Sequence, residues 1–177
     1  MTKTTQYSFH STVLSGGSFS GEVFSVIAEG DTVRASGFTA DRDMLAGMAK
    51  LDPAEVTPSK LGHPALDAAA RYFSGELAAI DTVAAVEAIP PSPFRQASRD
   101  ALRKIPAGQI RTYTQLAAAA GNPTAVRAAA NGCATNPLAL FVPCHRVLRS
   151  DGSLGGFLYG LDVKARLIEH ERVHSAG

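Results

Sequence analysis

A cluster of prolines divides this chain into two parts that cannot share a helix or a central strand. Pro90, Pro91 and Pro93 lie within four residues of one another. Proline has no backbone N–H donor and a fixed φ, so such a segment can neither continue a helix nor pair in the middle of a sheet. We therefore predict two domains, residues 1–88 and residues 89–177.

The two parts carry opposite charge. The net charge is +1, but residues 1–91 hold six Lys and Arg against eleven Asp and Glu, and residues 92–177 hold eleven against five. This asymmetry is typical of a DNA-facing domain joined to an acidic partner domain, although solvated charges scattered over two surfaces give the same count. With 45% hydrophobic residues, the 177-residue chain can bury one sizeable core or two small ones.

Cysteine content and hydropathy limit the compartment and the kind of site. No segment approaches eighteen unbroken apolar residues, and the polar start of the chain lacks a signal-peptide core. Only Cys133 and Cys144 are present, too few for a disulfide framework or for a four-ligand zinc site without distant histidines. We expect a cytoplasmic protein without a membrane contact or a bound metal, in which His10 and His63 are structural or exposed.

The first part reads as a small sheet covered by helices. Gly-containing turns separate three β-rich runs, which predict an antiparallel meander at residues 7–14, 21–28 and 32–39. Apolar residues at helical spacing predict helices at residues 42–51 and 64–80. The second of these helices carries one apolar stripe, made of Leu66, Ala70, Phe73 and Leu77.

The second part reads as mostly helical. Helices are predicted at residues 95–105, 112–120 and 124–133, the middle one with Thr112 as N-cap. The last two, with the turn between them, have the plan of a helix-turn-helix. The second helix would expose mainly Ala125, Ala128, Ala129 and Arg127, and such small side chains suit the minor groove, where sequence information is sparse. A packed alanine-rich core helix is the alternative.

The strongest chemical feature is Cys144, in the run Phe141 to Val147. The apolar residues 138–142 read as a buried segment, and Pro143 makes the chain leave regular structure there. A thiol becomes a nucleophile as thiolate, and His145 is a histidine next to it that accepts protons near neutral pH. A buried free cysteine that packs as a small hydrophobe is the alternative.

From Ser92 onward, motifs follow one another over about eighty residues in a fixed order: SPF-x-Q, ALRKIPAGQIRTYTQLA, R-x(8)-NP, PCHRV and GSLGGF-x-x-GLDVKARLIEHE. In these motifs the chain resembles the C-terminal domain of the O6-alkylguanine-DNA alkyltransferases, also called methylated-DNA–protein-cysteine methyltransferases. The resemblance covers about half of the chain strongly. It implies an α/β (α+β) fold, with a small ribonuclease-H-like N-terminal sheet and helices as scaffold and a mostly helical C-terminal domain that contains the helix-turn-helix.

The resemblance also implies the chemistry. Cys144 would attack the alkyl carbon of O6-alkylguanine in one irreversible displacement, without a cofactor, so that each molecule reacts once. His145 would deprotonate the thiol through a water, Glu171 would orient that imidazole, and Asn136 would brace the active-site turn. Taken in isolation, Glu171 is equally readable as a solvated helix residue, and Asn136 with Pro137 as an ordinary turn.

The implied partner is double-stranded DNA containing alkylated guanine, bound through the minor groove by a monomer. The damaged nucleotide must leave the stack. Arg127 would take its place, Tyr113 would help to rotate it out, and Ala128 and Ser150 would contact DNA. The substrate pocket would be lined by a further set of residues: Val147, Gly155, Gly156, Phe157 and Tyr159.

Several positions depart from the family pattern. Ser98 and Arg99 stand where an apolar pair is usual, which puts the packing of their helix in doubt. Ala130 and Asn131 stand where a glycine is usual, and Phe157 replaces a tyrosine. Tyr159 stands where many relatives have glycine, which should narrow the pocket and favour methyl over benzyl groups.

Other functions are weighed against this one. A lesion-recognition protein of the family carries tryptophan at the cysteine position, which Cys144 contradicts. A DNA-binding regulator that uses the helix-turn-helix remains the alternative function, although no zinc-binding cysteine cluster precedes the prolines. A cysteine hydrolase would need an oxyanion site and a route for turnover, and nothing in the sequence suggests either.

Overall fold

A computed structural model describes residues 6–175 of the chain. The first half forms a four-stranded sheet of order β3-β2-β1-β4. The strands β1, β2 and β3 form the predicted antiparallel meander, and β4 pairs in parallel with β1. This order agrees with the ribonuclease-H-like sheet that the resemblance implies. The strand bounds are Tyr7–Val13 (β1), Val23–Glu29 (β2), Thr32–Gly37 (β3) and Val56–Pro58 (β4).

Both faces of the sheet are covered, because successive side chains of a strand point to opposite faces. Val26 belongs to the large core shared with the second half, whereas Ile27 packs in a smaller cluster with Leu45. The helices of this half are α1 (Arg42–Met48) and α2 (Pro64–Phe73), and short 3₁₀ helices cover Gly17–Phe19, Pro53–Glu55 and Leu77–Thr82.

Three details of the first half differ from the sequence prediction. The helix predicted at residues 64–80 ends at Phe73, since Gly75 adopts φ 104°, and a separate 3₁₀ helix follows. Ala70 is exposed, so the predicted stripe is wrong there, and Ala69 and Tyr72 are buried instead. Strand β4 was missed because it has three residues and ends in Pro58, which weakens any strand signal.

The second half is mostly helical, as predicted, which confirms the mixed α/β class. Its helices are α3 (Pro93–Arg103), α4 (Tyr113–Ala119), α5 (Val126–Ala134) and α6 (Leu161–Ser175). Thr112 caps α4 in a reciprocal capping box with Gln115. Two-residue strands β5 (Arg111–Thr112) and β6 (Val147–Leu148) pair in parallel, and a 3₁₀ helix covers Cys144–Arg146.

The outer edge of β3 joins the two halves. Val33 N donates to Ala84 O at 2.8 Å, which pairs residues just before the proline cluster with the sheet. Further along the same edge, Ser36 N donates to Pro137 O at 2.8 Å and Ser36 Oγ donates to Ala139 O at 2.8 Å. The loop that leads to Cys144 is therefore hydrogen-bonded to the first-half sheet, and one large hydrophobic core runs through both halves.

Candidate active site

The thiol of Cys144 lies at the end of a tightly folded, buried loop. Residues 138–142 are all buried, and Leu140 adopts a positive φ of 74°, which an L residue rarely tolerates outside a closely packed turn. After Pro143, the chain enters the 3₁₀ helix that begins at Cys144. Cys144 keeps 5% of its surface exposed.

Asn136 holds both this loop and the sulfur. Its Nδ2 donates to Val142 O at 2.9 Å and to Cys144 Sγ at 3.2 Å, and its Oδ1 accepts from Leu138 N at 3.1 Å. The side chain is 3% exposed, so these bonds are shielded from water. A donor aimed at sulfur stabilises the thiolate relative to the thiol, and Asn136 is placed to do so.

His145, the residue after Cys144, forms a buried pair with Glu171. Nε2 of His145 lies 2.8 Å from Glu171 Oε1, across 26 residues of sequence, because α6 presents Glu171 to the 3₁₀ helix. In the described part of the chain, residues 6–175, Nδ1 of His145 is the buried side-chain nitrogen that lacks a hydrogen-bond partner. The proton of a neutral imidazole is thus assigned to Nε2, which leaves Nδ1 as a free base.

Two further side chains donate hydrogen bonds to Glu171. The sequence analysis assigned neither of them to the site. Arg146 donates through Nε at 2.9 Å to Oε2 and through Nη2 at 2.8 Å to Oε1, and Tyr72 donates its hydroxyl to Oε1 at 2.7 Å. Gly108 N donates to Oε2 at 3.1 Å. Arg146 lies inside the PCHRV motif, so its position was visible, but nothing in the sequence indicated which way it points.

Burial and charge determine the protonation states in the site. Burial raises the pKa of the Cys144 thiol, against the opposing effects of the Asn136 hydrogen bond, Arg99 and Lys164. Burial lowers the pKa of His145, although its bond to Glu171 opposes that change. Burial alone would raise the pKa of Glu171, but His145 and Arg146 hold it well below its usual range. The resting site therefore contains a neutral thiol, a neutral imidazole and an ionised carboxylate.

Comparison with known proteins relates this arrangement to a known family. Residues 93–173 match the family model described as the DNA-binding domain of 6-O-methylguanine DNA methyltransferase. The second part of the chain is therefore similar to the DNA-binding domain of this family. The resemblance found in the motifs is thereby confirmed.

Relatives in this family cover different shares of the chain. A methylated-DNA–protein-cysteine methyltransferase of Salmonella typhimurium is 47% identical over 107 residues, 59% of this chain and 60% of the relative. The bifunctional transcriptional activator/DNA repair enzyme Ada of Escherichia coli is 51% identical over 78 residues, 44% of this chain and 22% of Ada. The chain therefore matches less than two thirds of the length of these two curated relatives.

A solved structure of the family resembles nearly the whole fold. The crystal structure of Mycobacterium tuberculosis OGT in complex with DNA superimposes with a TM-score of 0.74 at 27% identity. The superposition covers 96% of this chain and 94% of that protein. The first-half sheet thus belongs to the shared architecture as well as the motif-bearing half.

Lys164 organises the pocket that the family resemblance assigned to the alkylated base. Its buried ammonium donates to Val147 O at 2.7 Å, to Leu154 O, and to Gly156 O at 3.4 Å. These bonds tie β6 to the loop of residues 152–156, which we call the glycine loop. Val147 is fully buried, and its carbonyl accepts from Lys164, which leaves one lone pair free for another donor.

The glycine loop passes very close to Tyr113. A Cβ at Gly155, whose φ is 71°, would lie 2.8 Å from Tyr113 Oη, so glycine is required here by both conformation and space. Gly156 is exposed and Phe157 is half-buried, with its ring centroid 5.8 Å from that of Tyr159. The glycine loop is therefore packed against Tyr113 and is not a free turn.

Tyr159 packs against the first half of the chain. Its ring lies 5.8 Å from Phe38, its hydroxyl donates to Ser36 O at 3.4 Å, and the close approach leaves no room for a side chain at Gly37. Burial raises the pKa of Tyr159, and the nearby Cys144 adds to this effect. Tyr159 is thus both near the thiol and fixed to β3.

The residues assigned to DNA are partly on the surface. Arg127 and Ala128 are exposed on α5, as expected, but Ala129 is fully buried, so its expected exposure is wrong. Ser150 is exposed, with its Oγ 3.4 Å from Thr114 Oγ1. Tyr113 is 8% exposed, and burial followed by the charges of Cys133 and Cys144 raises its pKa to about 12.

The two unusual polar residues of α3 are buried and satisfied. Arg99 is 2% exposed, donates to Glu87 Oε1 at 2.6 Å, and donates to Gly132 O at 2.6 Å near the end of α5. Ser98 Oγ donates to Phe94 O at 2.9 Å within α3. Where the family pattern has apolar packing, this chain uses a buried ion pair between α3 and the segment before the prolines, and it extends that pair to α5.

The remaining candidates do not form a site. The rings of His10 and His63 lie 5.0 Å apart, and their four nitrogens are within hydrogen-bond distance of Leu61 O, Ser8 Oγ, Gly30 O and Ala65 N. Within residues 6–175, no three His, Cys, Asp or Glu side chains are grouped to bind a metal. Over the same residues, no helix has the length and apolar character that a membrane span needs.

Proposed function

We propose that this protein repairs DNA by direct reversal of damage, transferring an alkyl group, above all methyl, from O6 of guanine to Cys144. The observation that supports this most strongly is a thiol hydrogen-bonded by Asn136 and followed in the chain by an imidazole whose Nε2 is bound to a carboxylate and whose Nδ1 is free. A nucleophile is therefore followed directly by a base that is already bound to a residue able to orient it.

The reaction is a single displacement. The Cys144 proton passes to His145 Nδ1 through a water, the thiolate forms a C–S bond to the alkyl carbon, and the C–O6 bond breaks with its electron pair left on guanine. The repaired guanine, which stays part of the DNA, takes up a proton. Because the thioether has no good leaving group, each protein molecule reacts once and needs no cofactor.

The helices α4 and α5 supply the proposed DNA-binding helix-turn-helix. The exposed face of α5 bears Arg127 beside Ala128, which allows a close approach to the minor groove and a guanidinium to fill the place of an extruded nucleotide. Tyr113 and Ser150 would contact the backbone around that nucleotide. We propose that a monomer carries out this repair on duplex DNA in the cytoplasm, with residues 1–88 as the scaffold domain and residues 89–177 as the reactive one.

The base would enter beside Val147, Gly155, Gly156, Phe157 and Tyr159. The glycine loop brings backbone groups close to the pocket, and Lys164 holds that backbone in place. The alternative of a DNA-binding regulator is less well supported, because a regulator has no use for a thiol hydrogen-bonded by Asn136 or for the buried bond between His145 and Glu171.

Intact mass spectrometry tests the proposal directly. The protein is incubated with a duplex oligonucleotide that contains O6-methylguanine, and a stoichiometric gain of one methyl group is expected. Cys144→Ser is the matched variant and should gain nothing, while Cys133→Ser should still gain the methyl group. A wild-type protein that stays at its original mass would contradict the proposed function.

A further inference from the structure

We propose that Tyr72, a residue of the first-half helix α2, is a positioning residue of the alkyl-transfer site, acting through Glu171 on His145. This inference rests on the proposed function. Tyr72 is 0% exposed, and its hydroxyl donates to Glu171 Oε1 at 2.7 Å across 99 residues of sequence. The first half of the chain therefore contributes a hydrogen bond to the reactive centre in addition to its packing.

Tyr72 and His145 share one oxygen. Oε1 of Glu171 accepts from Tyr72 at 2.7 Å, from His145 Nε2 at 2.8 Å and from Arg146 Nη2 at 2.8 Å, while Oε2 accepts from Arg146 Nε and Gly108 N. A carboxylate offers about four lone-pair sites, so its acceptor capacity is fully used. Each donor fixes the position of Oε1 and withdraws charge from the bond to His145.

The tyrosine hydroxyl is a permanent donor. Burial raises the pKa of Tyr72 well above its ordinary value, and the neighbouring Glu171 raises it further, so the hydroxyl keeps its proton at every working pH. Its ring is held by Phe73 at 5.1 Å and by His170 at 5.2 Å, and His170 Nε2 also bonds to Tyr72 O at 2.8 Å. The donor direction is thus set by packing within the core.

The sign of the effect on His145 follows from the groups that face it. Glu171 raises the pKa of the imidazole, whereas burial and the charges of Arg146 and Lys164 lower it. Without the Tyr72 hydroxyl, more negative charge on Oε1 faces Nε2, so the pKa of His145 should rise. The neutral imidazole is the base, so the transfer rate falls as acid protonates His145; we call this part of the pH–rate profile the acid limb. With a higher pKa of His145, the acid limb should move to higher pH.

Tyr72→Phe tests this inference because it removes the hydroxyl and keeps the ring. The rate of methyl gain from O6-methylguanine duplex is measured from pH 4.5 to 8.5 by intact mass. We expect the acid limb to move up by about half a pH unit.

Arg166→Gln is the matched control. Arg166 also joins α6 to the first half, through Glu22 at 2.6 Å and Ser18 O at 2.6 Å, but it makes no hydrogen bond to Glu171. This variant should lower stability and leave the acid limb where it is in wild type.

A second substitution gives the opposite sign without loss of the hydroxyl. 3-Fluorotyrosine at position 72 has nearly the same shape and a more acidic O–H, so it donates more strongly and should move the limb to lower pH. This protein should fold even if Tyr72→Phe does not.

The results of these measurements distinguish the proposed role of Tyr72 from the proposed alkyl transfer itself. Identical acid limbs in wild type and both position-72 variants would overturn the role of Tyr72 while leaving alkyl transfer intact. An equal shift in Arg166→Gln would also overturn it, because the effect would then come from general loosening of α6. A wild type without methyl gain at any pH would contradict the proposed function itself.

Discussion

The buried end of the site and its exposed end are built in different ways. At the buried end, Asn136, His145 and Glu171 are each less than 4% exposed. Asn136 is hydrogen-bonded to Cys144, and His145 is hydrogen-bonded to Glu171 across 26 residues of sequence. On α5, Arg127 and Ala128 are exposed to solvent. The chemistry thus depends on tertiary contacts, whereas the proposed DNA contact depends on which face of one helix is outside.

The largest expected effect is on the buried end. Glu171→Gln removes the charge that balances Arg146, whose side chain is 4% exposed, and it leaves His145 bonded at best to a neutral amide oxygen. Leaving a buried charge unpaired should lower the free energy of unfolding by about 3–5 kcal/mol. We expect the methyl-transfer rate to fall by about 10²-fold or more. Urea unfolding and mass spectrometry measure the two effects.

Glu169→Gln is the matched control for that variant. Glu169 lies on the same helix and pairs with Arg172, and both side chains are at least 60% exposed. Stability and transfer rate should stay at wild-type values. Equal losses in the two variants would contradict the distinction between the buried and exposed ends.

The next largest effect concerns Arg99, which connects α3 to α5, the helix at the exposed end of the site. Arg99→Met leaves Glu87 without its partner and the carbonyls of Gly132 and Thr135 without a donor. We expect a loss of about 3 kcal/mol in the free energy of unfolding. Arg172→Met, at an exposed pair, should cause no measurable loss in the same urea titration. A stable Arg99→Met protein would show that the buried pair can be replaced by apolar packing, as in the usual family pattern.

Acid should weaken the buried end specifically. The pKa of His145 is lowered in the folded state, so below about pH 6.5 the unfolded chain binds a proton first and stability falls. The pKa of Glu171 is also lowered, so its contribution is present above about pH 4.5 and is lost as pH falls further. Each group contributes at most about 1.4 kcal/mol per pH unit.

Urea titrations at pH 7, 5.5 and 4 measure this dependence. In Glu171→Gln the part of the loss below about pH 4.5 should be smaller, because one of the titrating groups is absent. A pH dependence identical to that of wild type would argue against an ionised Glu171 in the folded protein.

At the exposed end, Arg127→Ala should slow only the reaction with duplex DNA. The rate of methyl transfer from duplex DNA should fall about tenfold at low DNA concentration, the effect of losing one stacked side chain. The rate with free O6-methylguanine base and the stability should not change. A slower reaction with the free base would place Arg127 in the chemistry and remove the difference between the two ends.

The smallest effect concerns the size of the alkyl group. Tyr159 lies near the thiol and is packed on Phe38, so we expect methyl groups to transfer well and benzyl groups poorly. Comparable labelling by a benzylguanine probe and by methylated DNA would refute this. Tyr159→Gly should raise the benzyl rate relative to the methyl rate by about tenfold, which corresponds to a change of about 1.4 kcal/mol.

Local sequence signals predicted much of the fold. The N-cap Thr112 correctly marked the start of α4, and the antiparallel meander followed from its turns. Helix α3 begins at Pro93, two residues before the predicted start. Strand β4 was not predictable, since its three residues become a strand only by pairing with β1. The end of α2 was also missed, although Gly75, with its positive φ just after the helix, is a local signal of a helix end.

The candidate site was predicted as a set of residues but without its full hydrogen-bonding network. The motif and helical spacing indicated Cys144, His145, Asn136 and Glu171, whose assigned roles stay predictions. Neither signal indicated Tyr72, because a contact across 99 residues leaves no trace in local spacing. Arg99 was read as a departure from an apolar pattern, and its partner Glu87 and the carbonyl of Gly132 could be seen only after α3 and α5 were packed together.

By itself, the sequence indicated the candidate side chains for the proposed chemistry and the start of α4, because capping and motif spacing act within a few residues. The tertiary structure alone decided that β3 holds the active-site loop through Ser36 and that Glu171 is shared among Arg146, His145 and Tyr72. The physical reason is that a buried carboxylate must find every donor it needs, and packing brings those donors from both halves of the chain.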